Sequence, residues 1–187
     1  MPQSFISFNE QITPKTVQVL ISATFDQMNR GATEIVYLFS TPGGSVSDGI
    51  TAYNIIKGLP IPTTMINVGS VDSIGVCIFL AGKKRIACPN STFMLHGVTQ
   101  GAGNAQLELK DLKERIASIE ADHRKVGGII SSETALIQPE IDGLFIDAQT
   151  INPETARSKG IIHEIAPVAI PAGVQPIQLI FFGQSIF

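Results

Sequence analysis

Glu34-Ile35-Val36-Tyr37-Leu38-Phe39-Ser40-Thr41-Pro42-Gly43-Gly44 decides the fold. Its apolar run does not alternate, so both faces of the strand are expected to be buried, as in a parallel sheet. The strand, Glu34 to Ser40, stops at Thr41-Pro42-Gly43-Gly44. Upstream, residues 3–9 alternate, with Phe5, Ser7 and Asn9 facing one way and Ile6 and Phe8 the other, which reads as an edge strand. Thr13-Pro14 starts a helix with Thr13 as N-cap and Pro14 at the first helical position. Val17, Leu20, Ile21, Phe25 and Met28 follow at helical spacing, up to Gly31. Downstream, residues 48–57 read as a helix carrying Ile50, Tyr53 and Ile56, and residues 63–68 as a strand. Residues 69–73 form a tight turn and 74–81 an apolar helix, with short strands at 85–87 and 92–95. This β-α-β-α-β-α-β-β order predicts an α/β fold with right-handed crossovers. Ligands bind at the carboxyl ends of such strands, which singles out the loops 41–45, 69–74 and 96–100.

Residues 97–104 are glycine-rich and read as extended. A long amphipathic helix is expected over about 104–126, where Leu109, Leu112, Ile116 and Ile119 form one apolar stripe with a charged back. Such a stripe is a packing face, including against another subunit. Residues 127–140 read as a turn and a short helix, 153–159 as a helix, and 160–165 as a closing strand. The tail, 167–187, is proline-rich and then apolar over 177–182.

The 187 residues suffice for one domain with a real core. A formal net charge of -3 and the lack of a Lys/Arg block argue against nucleic acid. Cys77 and Cys88 stand in apolar surroundings without metal-ligand spacing, so both read as core residues of a reduced protein and no metal or cofactor is expected. No signal-peptide pattern opens the chain and no apolar run is long enough to span a membrane. A soluble cytoplasmic protein is the expectation.

Three motifs carry chemistry. In Gly69-Ser70-Val71-Asp72-Ser73-Ile74-Gly75, a serine between a strand end and a helix start is set up as an exposed nucleophile, although the spacing is not Gly-x-Ser-x-Gly. The alternative is a serine that only caps its helix. In Met94-Leu95-His96-Gly97, a histidine at a strand end could act as general base, or be a satisfied structural residue. His123 falls on the charged helix and His163 near the last strand, neither by the serine turn. In Ser40-Thr41-Pro42-Gly43-Gly44, the glycines would let backbone N–H groups approach a ligand as half of an oxyanion hole, or simply make a turn.

Together these segments resemble the proteolytic subunit of the Clp protease, within the wider Clp/crotonase superfamily. The stretch 37–44 resembles its strand and Ser-Pro-Gly-Gly loop, and 67–75 its Gly-x-Ala-Ala-Ser-Met-Gly segment. The stretch 81–96 resembles its basic hairpin, Pro-Asn-Ser and Met-Ile-His. The likeness runs from about residue 5 to 166 in family order. It implies repeated β-β-α units with a mostly parallel sheet flanked by helices, and a protruding handle helix. Residues 1–166 would form the peptidase domain and 167–187 an extension. The implied activity is serine endopeptidase cleavage through an acyl-enzyme. Ser73 would be the nucleophile, His96 the base, and Gly44 and Ile74 the oxyanion-hole donors. Gly43, Gly97, Val98 and Thr99 would hold a peptide or unfolded-protein substrate, added as a strand. The handle would stack homo-oligomeric rings, heptameric or tetradecameric, that work with a Clp-type ATPase.

The chain departs from the pattern at the triad acid. Counting back from Gly160 puts the family's Asp on Ala148, so Asp147 is the candidate and Asp142 the reserve. Asp72 replaces a small residue beside Ser73. The family's N-terminal axial segment, which meets the ATPase, has little counterpart before Phe5. Two other readings stand beside the peptidase: a ring component that has lost its acid, and a crotonase-like acyl-CoA enzyme.

Overall fold

The computed structural model describes residues 3–101 and 106–179. Strands β1 (Gln3–Asn9), β2 (Glu34–Thr41) and β3 (Thr63–Asp72) alternate with helices α1 (Pro14–Asn29) and α2 (Val46–Lys57). Helix α3 (Ile74–Leu80) follows directly on β3, then β4 (Lys84–Ala87) and β5 (Thr92–Leu95). The C-terminal part holds α4 (Leu109–Glu133), α5 (Gln138–Ile146), β6 (Gln149–Ile151), α6 (Pro153–Ser158), β7 (Glu164–Ile165) and β8 (Ile177–Gln178). The main sheet path runs β6-β5-β3-β2-β1-β8. Every pairing is parallel except β5 with β6. The fold is thus the expected mixed α/β one, with a mostly parallel sheet flanked by helices.

Local chemistry explains the first elements. Thr13 accepts from the Thr16 amide, Thr16 reciprocates, and Pro14 opens α1. In β2, Ile35, Tyr37 and Phe39 enter the main core, while Val36 and Leu38 join Phe5, Ile66 and Ile86 on the other face. Both faces are buried, which is why the run does not alternate. Part of the tail covers the second face: Ala166, Val168 and Val174 pack against that smaller cluster.

Several boundaries differ from the sequence reading. β1 is not an edge, because β8 pairs with it at Ile6↔Ile177 and Ser7↔Gln178. Phe5, read on its polar side, is buried. The expected turn at 69–73 is still strand up to Asp72, and only Ser73 turns the chain. β3 splits its pairing to do this: Thr64 to Asn67 bond β4, whereas Ser70 to Asp72 bond β5. The long helix spans Leu109–Glu133 rather than 104–126. Its expected start at 104 and part of the 97–104 stretch lie outside the described residues. Leu109, Leu112 and Ile116 stand exposed on its first half, while Val126, Gly127 and Ile130 are buried in its second. The closing strand is only Glu164–Ile165, and the apolar end of the tail beyond residue 179 lies outside the described residues.

Candidate active site

β3 ends inside the molecule, and its last pairs hold the next turn in place. The Ser73 amide donates to the Met94 carbonyl of β5 at 2.7 Å. Ser73 takes φ 57°, ψ -129°, and is the one non-glycine residue with positive φ among the described residues. An L-residue adopts that conformation only under constraint, at a cost of order 1–3 kcal/mol. The helix-capping alternative does not hold, since the Ser73 side chain makes no cap hydrogen bond to α3. Ser73 lines a cleft shared with Gly44, Val46, Ile74, His96 and Thr99.

The loop after β2 forms the second wall. Gly43 has φ +87°, and a Cβ there would lie 2.7 Å from Ser73 Cβ and 2.9 Å from the Asp72 carbonyl. Gly44 has φ +148°, and a Cβ there would lie 2.1 Å from the Ile12 carbonyl oxygen. Both positions therefore exclude side chains by conformation and by space. Ile12 donates to the Gly43 carbonyl and accepts from the Ser45 amide. That bridge uses the groups on either side of Gly44, so Gly44 turns its own N–H away from Ile12. Ile74, as first residue of α3, has an amide with no partner inside the helix.

His96 follows β5 directly and lines the same cleft. Among the described residues, no hydrogen bond or ion pair joins His96 to Ser73 or to a carboxylate. The structure brings together Ser73, His96, Gly44, Ile74, Val98 and Thr99. Gly43 touches the turn from behind, and Gly97 lies against the Phe145 carbonyl. Asp147 is exposed at the C-cap of α5, its amide donating to Gly143. Asp142 lines a separate pocket with His123, Arg124 and Gln138, and accepts from Gln138. Asp72 hydrogen-bonds the hydroxyl of Ser70, two residues back on the same strand face. The nearby thiol offers no rival nucleophile, because burial pushes Cys77 up to about 12.

Two groupings escaped the sequence reading. His123 Nε2 accepts from the Val98 amide at 2.7 Å, and its ring stacks on Phe145 at 4.8 Å. Away from the cleft, the buried Arg85 guanidinium donates to the carbonyls of Leu80, Glu133 and Gly160, and lies 3.7 Å from the Glu133 carboxylate. Glu133 also accepts from Tyr53 and pairs with Lys57. Burial opposes its charge, yet these partners hold its carboxyl below the usual range. His163 sits against Arg85, and burial followed by the charges of Arg85 and Lys84 pushes its imidazole down. Apart from Tyr53 and Lys57, one turn apart on α2, and the adjacent Lys84 and Arg85, no local spacing links these residues. Only the folded chain reveals them.

The Clp protease family profile matches residues 2–168. The ATP-dependent Clp protease proteolytic subunit of Chlorella vulgaris is 24% identical over 161 residues, covering 84% of this chain and 77% of that protein. Among the described residues, no helix is long and apolar enough to cross a membrane. With its α/β core and its serine turn inside the matched span, the chain belongs to the Clp protease family.

Proposed function

We propose that the protein is a serine endopeptidase, with Ser73 as nucleophile and His96 as general base. One observation carries the reading: a strained serine whose hydroxyl caps nothing lines one cleft with a histidine and with Gly44 and Ile74. His96 takes the Ser73 Oγ proton as the oxygen attacks the peptide carbonyl carbon. The N–H groups of Gly44 and Ile74 receive the developing oxyanion. His96 then donates that proton to the leaving amine, which leaves an acyl-enzyme on Ser73. Water, deprotonated by the same imidazole, releases the second product.

Asp147 is the proposed orienting acid. The β5–β6 ladder ends at Leu95↔Gln149, and Asp147 lies two residues beyond it, on the side toward His96. Among the described residues no hydrogen bond joins its carboxylate to the His96 ring. Gly97, Val98 and Thr99 are proposed to receive the substrate backbone. The exposed Leu109, Leu112 and Ile116 support assembly through α4 into a homo-oligomeric ring stack, as the resemblance implies. A soluble, cytoplasmic protein working on peptides or unfolded chains completes the proposal.

The missing contact between His96 and a carboxylate favours a second reading, a ring component of weakened activity. Hydrolysis of short fluorogenic peptides separates the two. The endopeptidase cleaves them and Ser73→Ala abolishes the cleavage. A weakened component leaves them intact in the wild type.

A further inference from the structure

Among the described residues, the segment after His96 has no strand partner. β5 ends at Leu95, where its pairing with β6 also ends. Three side chains of α4 hold the segment instead. The Val98 amide donates to His123 Nε2 at 2.7 Å, Gln100 donates to Ser118 Oγ at 3.1 Å, and Arg115 donates to the Gly101 carbonyl at 3.0 Å. The His123 contact falls on Val98, which lines the cleft and lies two residues after His96.

The local packing leaves His123 little freedom. Its ring stacks on Phe145 with planes 21° apart. A Cβ on Gly97 would lie 3.0 Å from His123 Nε2 and 2.5 Å from the Phe145 carbonyl, so only glycine lets the chain pass this close. Nε2 serves here as an acceptor, with the Val98 amide as donor. Successive residues of an extended chain turn their amides to opposite sides. If 97–99 runs extended, tying the Val98 N–H to α4 turns the backbone groups of Gly97 and Thr99 the other way, toward an added strand.

We propose that His123 is a positioning residue for substrate: by accepting the Val98 amide it sets which backbone groups of residues 97–99 meet the peptide. This rests on the peptidase reading, and it assigns His123 no part in bond breaking. An acceptor at this position matters for peptides that pair with the segment. It does not matter for a small reagent that needs only Ser73 and His96.

The test compares the full-length wild type, His123→Leu and His123→Gln by three measurements. These are the rate of Ser73 labelling by a small fluorophosphonate, kcat and KM for a peptide with several residues on each side of the cleaved bond, and hydrogen exchange of the Val98 amide. For His123→Leu, KM rises about tenfold, the equivalent of one lost hydrogen bond, while kcat and labelling stay within about twofold. The Val98 amide exchanges about tenfold faster or more. His123→Gln, whose amide oxygen can accept in place of Nε2, restores both. Should His123→Leu fail to fold, His123→Phe keeps a ring against Phe145 without an acceptor and takes its place. Unchanged KM, unchanged Val98 exchange, or a Gln variant no better than Leu overturns the proposal. A parallel fall in kcat and labelling also overturns it, since that would mark a role at Ser73 or His96. An unlabelled wild-type Ser73 is a different failure, that of the peptidase reading. Exchange of the Val98 amide then still decides whether His123 holds the segment.

Discussion

Two polar sites in this molecule are built in opposite ways. Around Arg85 nearly every group is engaged: the guanidinium reaches three backbone carbonyls, and Glu133 is bound by Tyr53 and Lys57. Around Ser73 the main chain is tightly held but the reactive side chains are not. The Ser73 amide is bonded to Met94, yet its hydroxyl caps nothing and His96 has no carboxylate beside it among the described residues. A buried charge network commits its groups to one another, because an unpaired member is costly; here, among the buried side-chain atoms of the described residues, Arg85 Nε alone lacks a partner. A strained backbone with uncommitted side chains stores its cost for use on a ligand. The contrast fits a stabilising role for the first site and, under the proposed function, a chemical one for the second.

Breaking the second site should cost rate and little stability. We predict that Ser73→Ala lowers peptide hydrolysis by about 10⁴-fold or more without lowering the melting temperature. A large loss of stability would show that the serine is structural. Breaking the first site should do the reverse. Glu133→Ala leaves the buried Arg85 charge without its carboxylate, and should destabilise by about 3 kcal/mol in a denaturant titration. An effect below about 1 kcal/mol would mean that the pair behaves like a surface ion pair and that the contrast is false.

Two smaller changes sharpen the comparison. Gly43→Ala brings a methyl against Ser73 and a side chain to a φ of +87°. It should lower hydrolysis and cost about 1–3 kcal/mol of stability. Unaltered kinetics would show that the loop does not support the serine turn. The smallest effect concerns pH. Next to Arg85, His163 is harder to protonate in the folded chain than in the unfolded one. The unfolded state therefore takes up the proton first, and stability is full above the ordinary histidine range and falls as pH drops below about 6.5. The groups facing this ring are Arg85 and Lys84 on β4, with Glu133 beyond Arg85. We predict that His163→Gln flattens the decline in melting temperature between about pH 7 and 5. A decline equally steep in both proteins would place the acid sensitivity elsewhere.

The sequence carried the parallel core and most of the cleft, because those features are local. The unbroken Ile35–Phe39 run could only be buried on both faces, and Thr13-Pro14 could only begin a helix. Ser73, Gly44 and His96 each stand at the end of a strand, where a turn residue has a positional meaning. The misses share a cause: each depends on distant partners. β6 and β8, of three and two residues, exist only because β5 and β1 offer edges. Gly127-Gly128 reads as a helix stop, yet Gly127 packs against Ile141 and Phe145 and α4 continues to Glu133. That is tertiary packing overriding propensity. His123 and Val98 are 25 residues apart and Arg85 and His163 are 78 apart, so no local pattern could join either pair.

The most direct test of the central claim is to treat the intact protein with a fluorophosphonate and locate the adduct by peptide mass spectrometry. We predict one adduct, on Ser73, that is lost in His96→Ala because the hydroxyl then has no base. An adduct on another residue, or none on the folded wild type, contradicts the assignment of Ser73 as a nucleophile.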